Sequence, residues 1–528
     1  MDDFDFIVNW PLIQDLSNWP RFFVGYVTPE TQTGIYSPLK TLFHALNYHF
    51  FGLNVLGYHI ESIIVHALGV FCVYFICRFL VKPYVDIKES LIPILAALIF
   101  AVHPVQVELT VSMTGAVDLI GVVFMLASML FYLYYLDYEN INHRWYALSL
   151  LTGSLAVFTH ELVVSLPLLL LLCDHFYRRN KVNYTVRFLA LAPFFFVSLF
   201  YVISKFLVLG SISRNTYLYD SFYLTILVTL KALGKYVLIS LFPFVLTHNH
   251  QIAPGIFSFG HSDFDPVAVL SQSLFDPYSI LSILILFMIF WGAVSASKRY
   301  PFLLFSAGWF FLSLLPGLNI IPSGVYFAER YLYPGFGAFC VAVAWLIVNA
   351  LEKYSLNRSK RNLLIVAVVS LLTFYYIRSW ARVPDLRDDI ALFESAVRAT
   401  PRSALMHNDL GIVYSQYGFP EKAVKSFNKA LSIREDPETY FALADAYTQL
   451  GQYIKTVEAL ERAIIMKPDY PEALFNLAGV YFFMGEEKKA LMHFEESVRI
   501  LKDQKRETEA MEYEKTWSEY LLSQMNEE

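Results

Sequence analysis

Charge is what this sequence has least of. Only 16% of its 528 residues are Asp, Glu, Lys or Arg, against 56% hydrophobic and 17% aromatic. That balance excludes a large soluble globule and describes a polytopic membrane protein. Cysteine is scarce as well. Cys72, Cys77, Cys173 and Cys340 lie in apolar runs, without metal-ligand or disulfide-framework spacing, and read as small buried hydrophobes. There is no Gly-rich phosphate loop, which argues against a nucleotide-sugar substrate, and no nucleic-acid patch. The opening MDDFDFIVNW is acidic where a cleavable signal would be basic.

The charge that exists is unevenly placed. Residues 57–380 carry little of it and the chain from Arg382 onward is dense in it, so two domains in two solvents are expected. Apolar runs of membrane-helix character are Tyr58–Leu80, Leu91–Val102, Leu119–Leu136, Tyr146–Phe158, Leu162–Cys173, Phe188–Leu209, Phe222–Leu246, Tyr278–Ser297, Phe302–Leu315, Tyr333–Leu351 and Leu363–Ile377. Basic residues cluster at Arg78/Lys82/Lys88, Arg178/Arg179/Lys181/Arg187, Lys298/Arg299 and Lys353/Arg358/Lys360/Arg361. Placing these in the cytoplasm puts 1–56, His103–Asp118, Thr159–Glu161, 243–277 and Asn319–Arg330 on the opposite face, with the C-terminal domain. The run Phe222–Leu246 breaks the alternation, since 243–277 has no Lys or Arg. It reads as an amphipathic or re-entrant helix on the outer face, or else as an ordinary span with snorkelling Lys231 and Lys235.

Between two of these runs, AVHPVQVELTVSMTGAVDLIG (Ala101–Gly121) inserts His103, Pro104, Glu108 and Asp118. A carboxylate at bilayer depth costs about 2.5–3.5 kcal/mol and marks a functional site by default. A wet interhelical loop is the plain alternative, and His103 before Pro104 equally suits a helix-start residue.

From about Ser403 the chain repeats. Leu410-Gly411, Leu443-Ala444 and Leu477-Ala478 align, as do Tyr414/Tyr447/Tyr481 and Gly418/Gly451/Gly485. Phe427/Leu460/Phe494 and Ala430/Ala463/Ser497 keep the register. This is the tetratricopeptide pattern, with repeats at about 403–436, 437–470 and 471–503. Ile390–Ala399 is a leading helix and 506–525 a capping one. Such helix pairs stack into a solenoid with a concave peptide-binding face. The expected fold is all-α: 1–56 an outer-face loop or amphipathic region, 57–380 a multispanning domain, and 386–528 a tetratricopeptide domain.

With these residues in view, the whole chain resembles the membrane-embedded O-mannosyltransferases that carry tetratricopeptide repeats, of the GT-C glycosyltransferase class. The matching pieces are Asp2-Asp3 with Ile7-Val8-Asn9, Tyr36 with Pro38-Leu39, and LNYHFFGLNVLGYHIESIIVHAL (Leu46–Leu68). FAVHPVQVE (Phe100–Glu108), Gly115 with Asp118-Leu119, and AERYLYPGFGAFC (Ala328–Cys340) follow in order. The resemblance implies inverting transfer of a hexose such as mannose from a polyprenyl- or dolichyl-phosphate to Ser/Thr of a protein acceptor. It further implies Asp2 as base, with Asp3 orienting the acceptor or a divalent cation. His103, Glu108, Asp118, His160, Glu161, Glu329 and Arg330 would line the cavity, and Arg330, Lys231 and Lys235 would contact phosphate. The repeats would present acceptor polypeptide, on the periplasmic, extracellular or lumenal side.

The chain departs from the family pattern at three cations. Tyr36-Ser37-Pro38 stands for Tyr-Arg-Pro, Ala116 follows Gly115 where Arg is usual, and His160 precedes Glu161 where Lys is usual. These losses frame the alternative, a degenerate membrane-anchored scaffold. In the family a membrane helix precedes the acidic pair, so an apolar helix of about 20 residues is expected upstream of Met1.

Overall fold

The computed structural model describes residue 7 and residues 10–24, 35–84, 91–137, 143–177, 184–259, 264–354 and 357–525. It divides into two compact units between Arg387 and Asp388.

The first unit is a bundle of helices with no named strand among the described residues. We number its longer helices α1 (Pro38–Phe51), α2 (Val55–Val81), α3 (Ile92–Val102), α4 (Met113–Asp137), α5 (His143–Thr159) and α6 (Leu166–Tyr177). They continue as α7 (Tyr184–Leu209), α8 (Phe222–Leu241), α9 (Pro277–Ser297), α10 (Pro301–Leu314), α11 (Tyr333–Lys353) and α12 (Arg358–Arg382). Among the described residues, seven helices are long and apolar enough to cross a membrane, by length and composition. The α3 helix and Pro104–Val111 add an eighth if that pair, bent by 51°, is one span. The bend falls where Pro104, lacking an N–H, cannot continue the ladder. The remaining expected runs are shorter helices, because polar residues such as His160 and Glu161 end them early.

Helix starts follow capping chemistry. The side chains of Asn54, Ser221, Asp276 and Asn357 accept hydrogen bonds from the backbone N–H groups of Leu56, Leu224, Tyr278 and Lys360. Pro38, Pro277 and Pro301 stand at first helical positions.

Contacts at the two ends show an up-and-down arrangement. At one end Lys82 pairs with Asp137 at 3.2 Å, Tyr84 packs on Phe302 and Tyr300 on Trp345. At the other end Lys40 meets Asp118, Arg330 meets Glu108, and Ser379 Oγ donates to the Val102 carbonyl at 2.8 Å. We call these the basic and polar ends. The most deeply enclosed candidate span is α4, packed by α2, α5 and α6. Its Gly121 lets the end of α5 approach, since a Cβ there would stand 2.9 Å from His160 Cβ.

The second unit is a row of antiparallel helix pairs. Asp389–Ala399 leads, the pairs are Ala404–Gln416/Pro420–Ile433, Pro437–Gln449/Tyr453–Met466 and Pro471–Phe483/Glu487–Asp503, and Glu507–Met525 closes the row. Gly418, Gly451 and Gly485 take φ of +75°, +68° and +78° at the turns, where a Cβ would be strained. Gly411 admits the Phe427 ring, whose nearest atoms would lie 2.6 Å from an added Cβ. Each turn is also clasped by a cation over an aromatic ring: Lys422 on Tyr414, Lys455 on Tyr447 and Lys489 on Tyr481, at 5.1, 5.4 and 5.0 Å.

Candidate active site

Asp2 and Asp3 lie outside the described residues. The other residues singled out in the sequence gather mostly at the polar end, in a layer of alternating charge.

Asp118 sits one turn into α4 and meets Lys40 of α1 at 3.0 Å. Lys40 is brought there because α1 begins at Pro38, which puts residue 40 in its first turn. His160 and Arg330 lie within electrostatic reach of the same carboxylate. The Nε2 atom of His160 is buried and has no hydrogen-bond partner among the described residues. Burial, above all, pushes that imidazole down to about 4, against the pull of Asp118. His44, on α1, is fully buried and pushed down to about 3 by burial and by Lys40, with Asp118 opposing.

Glu161 opens the turn Glu161–Ser165 after α5. It is held by two cations: Lys205 of α7 at 3.2 Å and Arg214 from the segment that follows. Glu108, in the short helix Val107–Val111, accepts from the Arg330 backbone N–H at 3.2 Å and from its guanidinium at 2.9 Å. This chelation fixes the start of the turn Glu329–Leu332. Its neighbour Glu329 faces inward, accepting from the Thr247 N–H and pairing with His250 Nε2, both at 2.7 Å. Burial, then Lys235 and Arg382, hold His250 well below the ordinary histidine value.

Two expected site residues have other partners. His103 Nδ1 accepts from the Val105 N–H at 3.3 Å, which leaves Nε2 to donate to the Ser240 carbonyl at 3.1 Å. Its ring packs on Phe336 and Tyr375. Both nitrogens being engaged, His103 is a helix-start and packing residue, because an N–H acceptor is needed exactly where Pro104 opens a new turn. Lys231 is buried against Asp276 at 2.8 Å, tying α8 to the cap of α9. Lys235, one turn on, donates to the Gln251 carbonyl, lies 5.5 Å over the Phe327 ring, and is within electrostatic reach of Glu329.

The layer also holds residues that the sequence reading passed over: Lys40, Lys205, Arg214, His250 and Arg382. Lys205 carried a signal, being a lone cation within the apolar run Phe188–Leu209. Arg214 and Lys40 carried none, since each stands in an ordinary polar context. Chemically, the layer offers cations for an anion, each partly neutralised by a carboxylate, and a His160 Nε2 with no hydrogen-bond partner among the described residues.

Fold and layer together define an all-α protein: a helical bundle with apolar helices of membrane-crossing length, joined to a tetratricopeptide solenoid. A family model described as "TPR repeat" matches residues 444–485. A protein O-mannosyl-transferase of Caenorhabditis elegans is 24% identical over 82% of this chain and 59% of its own length. The human protein O-mannosyl-transferase TMTC3 is 23% identical over 83% of this chain and 49% of its own. A Drosophila melanogaster protein O-mannosyl-transferase, Tmtc2, reaches 31% over 27% of this chain and 15% of its own. The chain thus carries a tetratricopeptide repeat and is similar over about four-fifths of its length to protein O-mannosyl-transferases, and it spans about half the length of the worm and human relatives it matches.

Proposed function

We propose that the chain is a membrane glycosyltransferase that moves a hexose, mannose by likeness to its relatives, from a polyprenyl-phosphate carrier to a Ser/Thr hydroxyl with inversion. The observation that carries this reading is the layer itself: Lys40, Lys205, Arg214 and Arg330 converge with Asp118, Glu161 and Glu108 at one end of an apolar bundle. A scaffold that only anchored the repeats would have no use for so many half-buried charges, each of which needs a partner to be tolerated away from bulk water.

In the proposed reaction the acceptor oxygen attacks the anomeric carbon while the bond from that carbon to the phosphate oxygen breaks. The bonding pair leaves with the lipid phosphate, whose charge Arg330, Arg214 and Lys205 stabilise. The hydroxyl proton passes to Asp2, with Asp3 orienting the acceptor. The polar end faces away from the cytoplasm on this reading, as the basic loops at the other end favour. The repeats lie on that non-cytoplasmic side and offer their concave face to acceptor polypeptide.

The test is transfer of radiolabelled sugar from polyprenyl-phosphate donors in membranes holding the full-length chain, beside the Asp2→Asn/Asp3→Asn double variant. Loss of transfer in the variant with the fold retained is expected. Undiminished transfer would remove Asp2 and Asp3 from the mechanism, and no transfer from any donor by the folded parent would favour the scaffold.

A further inference from the structure

The segment that follows α8 is built unlike an exposed loop. Its described residues, 242–259 and 264–276, contain no Lys or Arg, and both carboxylates are occupied as helix caps. Asp265 accepts from the Val267 and Ala268 N–H groups, and Asp276 from those of Tyr278 and Ser279 as well as pairing with Lys231. Polar groups on its inner side pair with one another: the His250 N–H donates to Ser258 Oγ, the Ser258 N–H to Asn249 Oδ1, and the Ile252 N–H to the Ile256 carbonyl. Its outer side is mostly apolar, with Gln251, Asp265 and Ser271 the exposed polar residues among those described. Phe275 is 87% exposed and Val267 75%, and Phe242, Phe244, Val245 and Leu270 are exposed as well.

The partners of α8 place this segment in depth. Tyr217, just before the helix, bonds to the Ile320 carbonyl, Thr229 to that of Leu318, and Tyr236 accepts from the Ala328 N–H. The far end meets His103 through Ser240 and Tyr375 through Leu241. All of these lie at the polar end, so α8 runs along that end rather than from one end to the other. The Phe244 carbonyl then accepts from Arg378 at 2.8 Å, two residues before the exposed Trp380 at the close of α12. An Arg and a Trp at a span's end mark the headgroup level of a bilayer. The exposed apolar side is continuous with two span surfaces: Phe275 leads into the exposed Leu281, Leu284 and Phe287 of α9, and Phe244 packs on Phe374 of α12, the helix that exposes Tyr376 and Ile377.

The geometry points to α8 and residues 242–259 and 264–276 as a shelf sunk in the outer leaflet, its apolar side covered by lipid acyl chains. A mostly apolar exterior over polar groups that largely pair with one another suits that solvent. On the shelf's inner side Lys235 and Tyr236 reach the charged layer. A lipid-borne substrate therefore meets that layer without leaving the leaflet, a consequence that rests on the donor reading above.

The test is spin-label accessibility of the full chain in phosphatidylcholine vesicles, in a Cys72→Ser background, with single labels at F275C, V267C and F244C. The reference positions are L284C on α9 and K429C in the repeats. The ratio of collision with oxygen to collision with a nickel chelate is expected to match L284C at all three shelf positions. Ratios matching K429C would overturn the shelf, whether or not the chain transfers sugar. So would a water-like ratio at L284C itself, since the leaflet would then be absent from that surface.

Discussion

Glu161→Gln isolates the feature on which the proposed anion site depends. Glu161 stands between Lys205, at 3.2 Å, and the Arg214 guanidinium, and the three side chains are 21%, 9% and 15% exposed. At an effective dielectric of about 20, one such pair attracts by about 5 kcal/mol before desolvation is counted. Removing one partner of a buried pair costs about 3–5 kcal/mol, because the stranded charge is left in a poor solvent. Here a fifth of the Glu161 surface meets solvent and a glutamine carbonyl still accepts one hydrogen bond, so a net loss of about 2–3 kcal/mol is expected. The assay is thermal and denaturant unfolding of the detergent-solubilised full chain, with and without a short polyprenyl phosphate. At a hundredfold excess over Kd a ligand specific for the folded state adds about 2.7 kcal/mol. The variant should gain more than the parent from the same concentration, since the phosphate then takes the place of the carboxylate between the two cations. Unfolding of the variant within about 0.5 kcal/mol of the parent would refute the energetic reasoning. Equal stabilisation of the two by phosphate would refute the anion site.

His103→Ala should destabilise the bundle by about 2–4 kcal/mol, through the lost hydrogen bond to Ser240 and the cavity left beside Phe336 and Tyr375. Transfer per folded molecule should be unchanged, and a specific loss would return His103 to the donor site. Phe427→Ala should cost the repeat unit about 3–5 kcal/mol, read by hydrogen exchange of 404–433 in the full chain; protection equal to the parent's would contradict its place against Gly411. His44 is neutral in the fold and holds a pKa of about 3 against about 6.5 unfolded, so the unfolded state binds more protons between those values. Stability is therefore full above pH 6.5 and falls by up to about 1.4 kcal/mol per unit below it. His44→Asn should flatten that slope between pH 6.5 and 5, and an unchanged slope would count against a neutral His44.

The helices were legible because apolar run length and the 33- to 34-residue spacing of Tyr414, Tyr447 and Tyr481 are properties of the chain alone. The polar layer was legible only in part. Glu108, Asp118, Glu161 and Glu329 stood out as acids beside apolar runs, where burial is costly enough to be informative. Of their cations only Arg330 was singled out, and the pairings themselves were not legible. Arg214 lies 53 residues from Glu161 and Arg330 lies 222 from Glu108, and nothing in local spacing joins positions so far apart. His103 was ambiguous for the opposite reason. Histidine beside proline in a stretch holding acids suits a cavity and a helix start equally, and the engagement of both nitrogens favours the helix start.

The same distance effect changes what the three missing family cations mean. Position for position, Ser37, Ala116 and His160 remove positive charge from one face, and a lipid-phosphate site losing three cations would be hard to defend. In space the charge is present from other positions. Lys40 lies one helical turn beyond Ser37 and reaches Asp118, while Lys205 and Arg214 reach the carboxylate that follows His160. An anion recognises the field and the donors at a point, not the residue numbers that supply them. If this relocated charge serves the site, Lys205→Met and Arg214→Met should each weaken transfer through a raised KM for the polyprenyl-phosphate donor. On the proposed mechanism, in which these cations meet the leaving phosphate rather than the attacking hydroxyl, neither should alter the KM for acceptor peptide. Restoring a family cation at His160→Lys beside Lys205→Met should recover part of the loss. An equal rise in both KM values, with no recovery in the double variant, would show that Lys205 and Arg214 only hold Glu161 in place.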